Sequence, residues 1–282
     1  MSEVVRIFDP WKSKICTCKP KYSFNPYTGC SHNCIYCYAT YIPRFRELRK
    51  KKKVLIRLEK DLKKIDLSLP ISMSNSSDPY PPIEKKEKIT KKCIELMKDY
   101  DAKLLIVTKS DIVIRDAKLL SEINCCVSIT ITSFNKAKIL ESNAPPPEKR
   151  VEALRKLKDW GVPVVLRLDP ILPKINEKEI DHILNLCEFV DHVVTSTLKL
   201  RADSFKRVCD HFPELKNEYK KLYFKLGEKI GNSFYLPKNI RLEILRCVEE
   251  KCREVGLSCA FCREGIKFEA ESCDGQHLLR KY

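Results

Sequence analysis

AKLLIVTKSDIVIRDAKLLSEINCCVSITIT, residues 102–132, holds two strand patterns separated by a helical one. AKLLIVT (102–108) and CCVSITIT (125–132) are short apolar runs, the second largely β-branched, and RDAKLLSEI (115–123) reads as a helix. Buried strands joined through a helix pair in parallel by right-handed crossovers. The alternation continues on both sides. Upstream, ISMS (71–74) is cut off by the prolines of NSSDPYPP, and Ile89, Cys93, Leu96, Met97 and Tyr100 recur at helical spacing within 84–100. Downstream, EKRVEALRKLKDW (148–160) is a helix that starts after three prolines and stops at Gly161. VPVVLRL (162–168) and DHVVTSTL (191–198) are strands, and Asn176 and Glu179 have the spacing of an N-terminal cap for a helix running to about Phe189.

These are five strands between 71 and 198, and KYSFN before Cys30 supplies a sixth. The expected fold is α/β: a partial (β/α)6 TIM-like barrel, too short to close, with its chemistry at the carboxyl ends of the strands. Beyond Leu200 the patterns are helical, over 203–226 and 238–255, and a tail holding Cys259, Cys262 and Cys273 follows. The expected organisation is a leader packing on the barrel (1–29), the partial barrel (30–200) and a C-terminal helical extension with a Cys-rich tail (201–282).

Composition narrows the class. With 282 residues and 43% apolar content the chain can bury a sizeable core, which excludes global disorder. No window approaches eighteen uninterrupted apolar residues, and MSEVVRIFDPWKSK lacks a signal-peptide core, so a cytoplasmic location without membrane contact is expected. Fifteen cysteines cannot all pair within one chain, and metal ligation is the better reading for the clustered ones. Cys93, Cys125, Cys126, Cys187 and Cys209 sit in apolar patterns, where a thiol is a small hydrophobe. A single glutamine, Gln276, in a Lys-, Ile- and Glu-rich chain fits adaptation to high temperature. The formal net charge is +16, and residues 42–64 hold eleven Lys/Arg against three Asp/Glu. That run reads either as a solvated helical face or as a patch that attracts phosphates.

NPYTGCSHNCIYCYA (25–39) places Cys30, Cys34 and Cys37 in a C-x3-C-x2-C array. A tetrahedral zinc site would want a fourth protein ligand. A cubane of four irons and four sulfides takes one ligand per iron, so three thiolates leave one iron free for something else.

With Tyr36 before the last cysteine, the array resembles that of the radical SAM superfamily. SMSNSSDPYPPIE (72–84), VTKSDIVIRD (107–116), VSITITS (127–133), VVLRLDPILP (164–173), CREG (262–265) and SCDGQH (272–277) extend the resemblance to the branch that includes spore photoproduct lyase and uncharacterised archaeal and bacterial relatives. The resemblance implies a 4Fe-4S cluster on Cys30, Cys34 and Cys37. It also implies S-adenosylmethionine on the free iron, reductive cleavage to a 5′-deoxyadenosyl radical, and a ferredoxin- or flavodoxin-like reductant. It places Tyr36 against the adenine. Asn75, Ser76 and Asp78 become acceptors for the methionyl amine, with turn chemistry before Pro79 as the alternative. Lys109 and Ser128 become holders of the methionyl carboxylate, an ordinary surface lysine being the alternative for Lys109. Arg167 needs a partner within its apolar strand: Asp169, that carboxylate or a substrate phosphate. Cys252, Cys259, Cys262 and Cys273 are candidates for a second cluster or a zinc ion, with Cys16 and Cys18 as further thiols. One thiol lining the site as a hydrogen-atom donor is the other reading of these cysteines. Charge and resemblance together favour a nucleic-acid substrate, for photoproduct repair or RNA modification. The alternatives are radical modification of a protein or small molecule, and a non-catalytic iron–sulfur or zinc protein that binds nucleic acid.

Overall fold

The computed structural model describes residues 2–8 and 13–280; residues 1 and 9–12 of the leader and 281–282 of the tail lie outside them. Eight strands form the main sheet in the order β1 to β8: Val5–Ile7, Tyr22–Phe24, Ile71–Met73, Leu104–Thr108, Cys125–Thr130, Val164–Ile171, His192–Thr197 and Cys259–Phe261. Strands β2 to β8 run parallel, and β1 lies antiparallel on the edge. The six expected strands are therefore β2 to β7, an open barrel. The seventh parallel strand, β8, comes from the tail; three residues are too few for period or propensity to announce. The leader docks where the Val4 and Val5 amides donate to the buried Asp61 carboxylate at 2.6 and 2.9 Å.

A period of two explains how the sheet serves both core and cavity. On β5, Cys125, Val127 and Ile129 point outward into the core shared with the helices. Cys126, Ser128 and Thr130 alternate with them and face inward. The same parity carries Lys109, Arg167 and Ser196 to the inner side. The inner face is thus apolar low down and polar toward the strand ends. Its apolar part (Leu105, Cys126, Val165 and Val194) is sealed by Leu278 and Leu279 from the tail. Gly275 lets the tail pass: its φ is +83°, and a Cβ there would lie 2.8 Å from Val165 Cγ2.

Two local readings change. Asn176 does not cap its helix. Its Oδ1 accepts from the Leu172 amide at 2.7 Å, and its Nδ2 donates to the Thr132 and Pro170 carbonyls, so it ties two strand ends together. Glu179 accepts from the Phe134 and Asn135 amides rather than reaching back to Asn176. The segment 203–226 is also no single helix. It divides into Ala202–His211 and shorter turns up to Lys225, broken where Pro213 removes a backbone donor.

Leu279→Ala should cost about 2–5 kcal/mol, the usual range for truncating a buried leucine. Chemical denaturation checks this; an unchanged midpoint would mean that the tail does not seal the inner face.

Candidate cluster and cofactor site

The loop carrying Cys30, Cys34 and Cys37 is held from three sides. Gly29 turns it at φ +82°, where a Cβ would fall 2.2 Å from the Glu47 carbonyl oxygen, and the Cys30 amide then donates to the Phe45 carbonyl. Cys34 pairs with Glu141 in an antiparallel bridge, and the Ile35 amide donates to the Leu140 carbonyl at 3.0 Å. From the C-terminal region, Arg207 donates to the Ile35 carbonyl at 2.9 Å and to the Cys37 carbonyl at 2.7 Å. As free thiols all three cysteines are pushed up by burial, Cys30 to about 11 with Asp78 adding to it. Ligating a metal therefore releases protons.

Glu141 is the centre of the loop's attachment. Its buried carboxylate accepts from the Tyr36 hydroxyl, from Thr132 Oγ1 at 2.9 Å and from Arg150, and Lys109 Nζ stands 3.7 Å away. Burial alone would raise its pKa; the Arg150 guanidinium, with Lys109 and the hydroxyl, outweighs that and holds it at about 2. Tyr36 is fixed by its hydroxyl, and Lys109 Nζ lies 5.8 Å from its ring centre.

A cavity of about 770 Å³ opens at the strand ends, and Cys30, Cys34 and Cys37 line it. So do Tyr36, Asn75, Ser76, Asp78, Lys109, Ser128 and Arg167: the structure brings every one of these candidates to one wall system. Their conditions differ. Asp78 accepts from the Tyr80 and Lys109 amides and from Thr108 Oγ1, and it lies 3.0 Å from His32 Nε2. With its oxygens engaged this way, it latches the cluster loop to β4. Asn75 is tied to Ser72 and Ser23, and its carbonyl accepts from Tyr38. Ser76 is half-buried at the cavity. Arg167 pairs with Asp169 at 3.0 Å, the partner its strand demanded, while its Nε is buried without one. Ser128 Oγ is also buried without a partner, as is Ser74 Oγ. Unsatisfied buried hydroxyls at a cavity wall are places where a polar ligand completes the bonding. Ser74, Asp169, Ser196 and Lys199 line the cavity too, and sequence reasoning did not single them out as ligands. The signal was available for two: Asp169 is two residues from Arg167 and Ser196 two from Val194, so each shares its inward parity.

The donor set fits the implied groups. One buried and two half-buried thiols on one loop suit a 4Fe-4S cluster. The orphaned serine hydroxyls and Lys109 suit the polar end of S-adenosylmethionine, and the fixed Tyr36 ring suits its base. The C-terminal cysteines fare differently. Cys252 and Cys259 interact with each other inside the core and do not line the cavity, whereas Cys262 and Cys273 do. The expected quartet is split. Cys93, Cys125, Cys126, Cys187 and Cys209 are all buried.

The family model of the radical SAM superfamily matches residues 24–187. An uncharacterised protein of Methanocaldococcus jannaschii is 29% identical over 238 residues, 82% of this chain and 87% of that protein. An uncharacterised protein of Mycobacterium bovis is 23% identical, over 80% of this chain and 72% of its own length. Among solved structures, spore photoproduct lyase complexed with dinucleoside spore photoproduct superposes with a TM-score of 0.68. Its sequence identity is 18%, over 91% of this chain and 79% of that one. SuiB of Streptococcus suis bound to S-adenosylmethionine matches with a TM-score of 0.53 at 12% identity, over 85% of this chain and 49% of that one.

Two outcomes are expected here. Arg207→Ala removes charged hydrogen bonds to the cluster loop, each worth about 1.5–3 kcal/mol. The variant should lose iron faster on gel filtration after reconstitution; retention equal to wild type would show that the loop supports itself. Glu141 has a depressed pKa in the folded state, so its contribution is complete above its ordinary value of 4.5 and disappears as pH falls toward about 2. Glu141→Gln should flatten that part of the acid-unfolding curve. It should also destabilise at neutral pH by about 3–5 kcal/mol, because Arg150 stays buried without its counter-charge.

Proposed function

This chain belongs to the radical SAM superfamily, and we propose that its hydrogen abstraction is directed at a nucleic-acid strand. When bound, the 4Fe-4S cluster and S-adenosylmethionine supply the electron and the 5′-deoxyadenosyl radical. An external reductant must feed the cluster, and a ferredoxin- or flavodoxin-like protein fits that need. The protein's own residues position and exclude. Lys109 and the Ser128 hydroxyl present a cation and an unsatisfied hydroxyl to a carboxylate. Tyr36, held at both Glu141 and Thr132, offers a fixed aromatic face. Leu278 and Leu279 close the apolar part of the inner face from below.

The observation that carries the substrate reading is the cationic side of the same cavity. Arg6, Lys51 and Arg57 line it together. Lys51 is lowered to about 8, by burial first and then by repulsion from Arg57 and Arg6, and Glu3 also lines the cavity. A polyanion relieves that repulsion. Part of the basic run is used locally: Lys50 pairs with Glu87 at 3.0 Å, and Arg57 also binds the Ser2 carbonyl. Lys51, from the same run, is turned to the cavity. The structural neighbour was solved with a dinucleoside photoproduct. A dinucleotide lesion or a nucleoside within RNA is therefore the first substrate class to test.

Anaerobically reconstituted protein with dithionite and S-adenosylmethionine should yield 5′-deoxyadenosine, and Cys34→Ala should yield none. Filter binding of an oligonucleotide should weaken steeply with salt. Lys51→Ala should reduce the slope of log K against log salt by about 1. A flat salt dependence would remove the nucleic-acid reading and leave a protein or small-molecule substrate.

A further inference from the structure

Four thiols outside the cluster loop meet at the cavity, drawn from separate parts of the chain. Cys16 and Cys18 come from the leader, Cys262 follows β8 directly, and Cys273 lies in the tail. Cys18 Sγ and Cys273 Sγ are 3.3 Å apart across 255 residues of sequence. Cys16 lies close enough to Cys18 for the two thiols to act on each other, and Cys262 is close enough for its charge to act on Cys16, Cys18 and Cys273. All four are free thiols. Cations surround them. Lys21, almost fully buried, lies beside Cys18 and pairs with Asp274, and Arg167 reaches Cys262. Buried lysine and arginine beside a group of thiols compensate the charge that arises when thiols become thiolates.

We propose that Cys16, Cys18, Cys262 and Cys273 form a second thiolate-ligated metal centre, distinct from the triplet and suited to a soft metal as zinc or as an iron–sulfur cluster. It replaces the quartet read from sequence spacing: Cys252 and Cys259 drop out, and the leader pair takes their place. The short Cys18–Cys273 separation is close to the roughly 3.8 Å between sulfurs around one ion with bonds of about 2.3 Å. Among the described residues no three thiol, imidazole or carboxylate groups already close around one point. That holds for Cys30, Cys34 and Cys37 as much as for this quartet, so ligation in either place asks for side-chain rotation within a wall already assembled. When zinc binds, each ligating thiol gives its proton to solvent and no oxidation state changes. The centre joins leader to tail.

The test is metal and acid-labile sulfide analysis of anaerobically purified and reconstituted protein. Wild type should carry metal beyond the roughly four irons of one cubane: about one zinc, or further iron with matching sulfide. The sulfide arm separates the two metals. Cys18→Ser and Cys262→Ala should each remove only the extra metal, while Cys252→Ala leaves it in place. Wild type with about four irons and no zinc overturns the proposal, as does extra metal that survives both substitutions. Independently of whether either variant folds, alkylation of metal-loaded wild type followed by peptide mass spectrometry gives a second reading. Protection of all four cysteines, lifted by a chelator, supports the centre; rapid labelling before the chelator overturns it.

Discussion

A buried carboxylate between four donors holds the chemistry to the scaffold. Glu141 receives Tyr36 from the cysteine loop, Thr132 from the end of the central strand, Arg150 from the following helix and Lys109 from the neighbouring strand. Its backbone meanwhile pairs with Cys34. An unpaired carboxylate at this depth would be costly, and so would the buried Arg150 guanidinium without it. The loop thiols, the aromatic ring between them and the cation at the strand end therefore keep one mutual arrangement. Asp78 does a similar task lower in the loop, engaging His32 on one side and the Thr108–Lys109 strand end on the other.

How much of this the sequence disclosed depends on the range of the interaction. Local rules exposed the parallel sheet, since β-branched runs and helical spacing are written within ten or fifteen residues. The cysteine spacing exposed the loop, and strand parity was enough to put Lys109, Ser128 and Arg167 on one side. Contacts between distant segments were not legible. Cys262 and Cys273 lie in one short stretch with Cys259, so spacing joined all three with Cys252. In the fold, Cys259 turns outward from the sheet into the core, and the neighbour that matters to Cys273 is 255 residues away. Asn176 failed for a related reason. Its side-chain oxygen has the chemistry of a cap, but the Leu172 amide occupies that acceptor, while the Thr132 and Pro170 carbonyls hold its nitrogen.

Charge is also sorted by position rather than by count. Many surface lysines sit beside a carboxylate one helical turn away, as Lys63 does with Glu59 and Lys206 with Asp210, and such pairs stabilise little. The cations that bear on chemistry are the enclosed ones. Lys21, Lys109, Arg167 and Lys199 are shielded from solvent at the cavity, and each is matched by a carboxylate: Asp274, Glu141, Asp169 and Glu264. Because each of these inner cations has its own counter-charge, the net excess of +16 lies outside them, chiefly where salt screens it.

The meeting of Lys21 with Asp274, and of Cys18 with Cys273, sets an order of events at the ribosome. Synthesis proceeds from the leader, and the strands through β7 emerge while the partner of the leader is still untranslated. The floor of the cavity can assemble only after Leu279 has cleared the exit tunnel, because Leu278 and Leu279 are its lid from below. Joining ends this far apart carries a loop-closure cost that local helices and hairpins avoid, so it belongs to the last stage of folding. A nascent chain therefore has its cysteine loop and strand ends well before it has an enclosed reaction chamber.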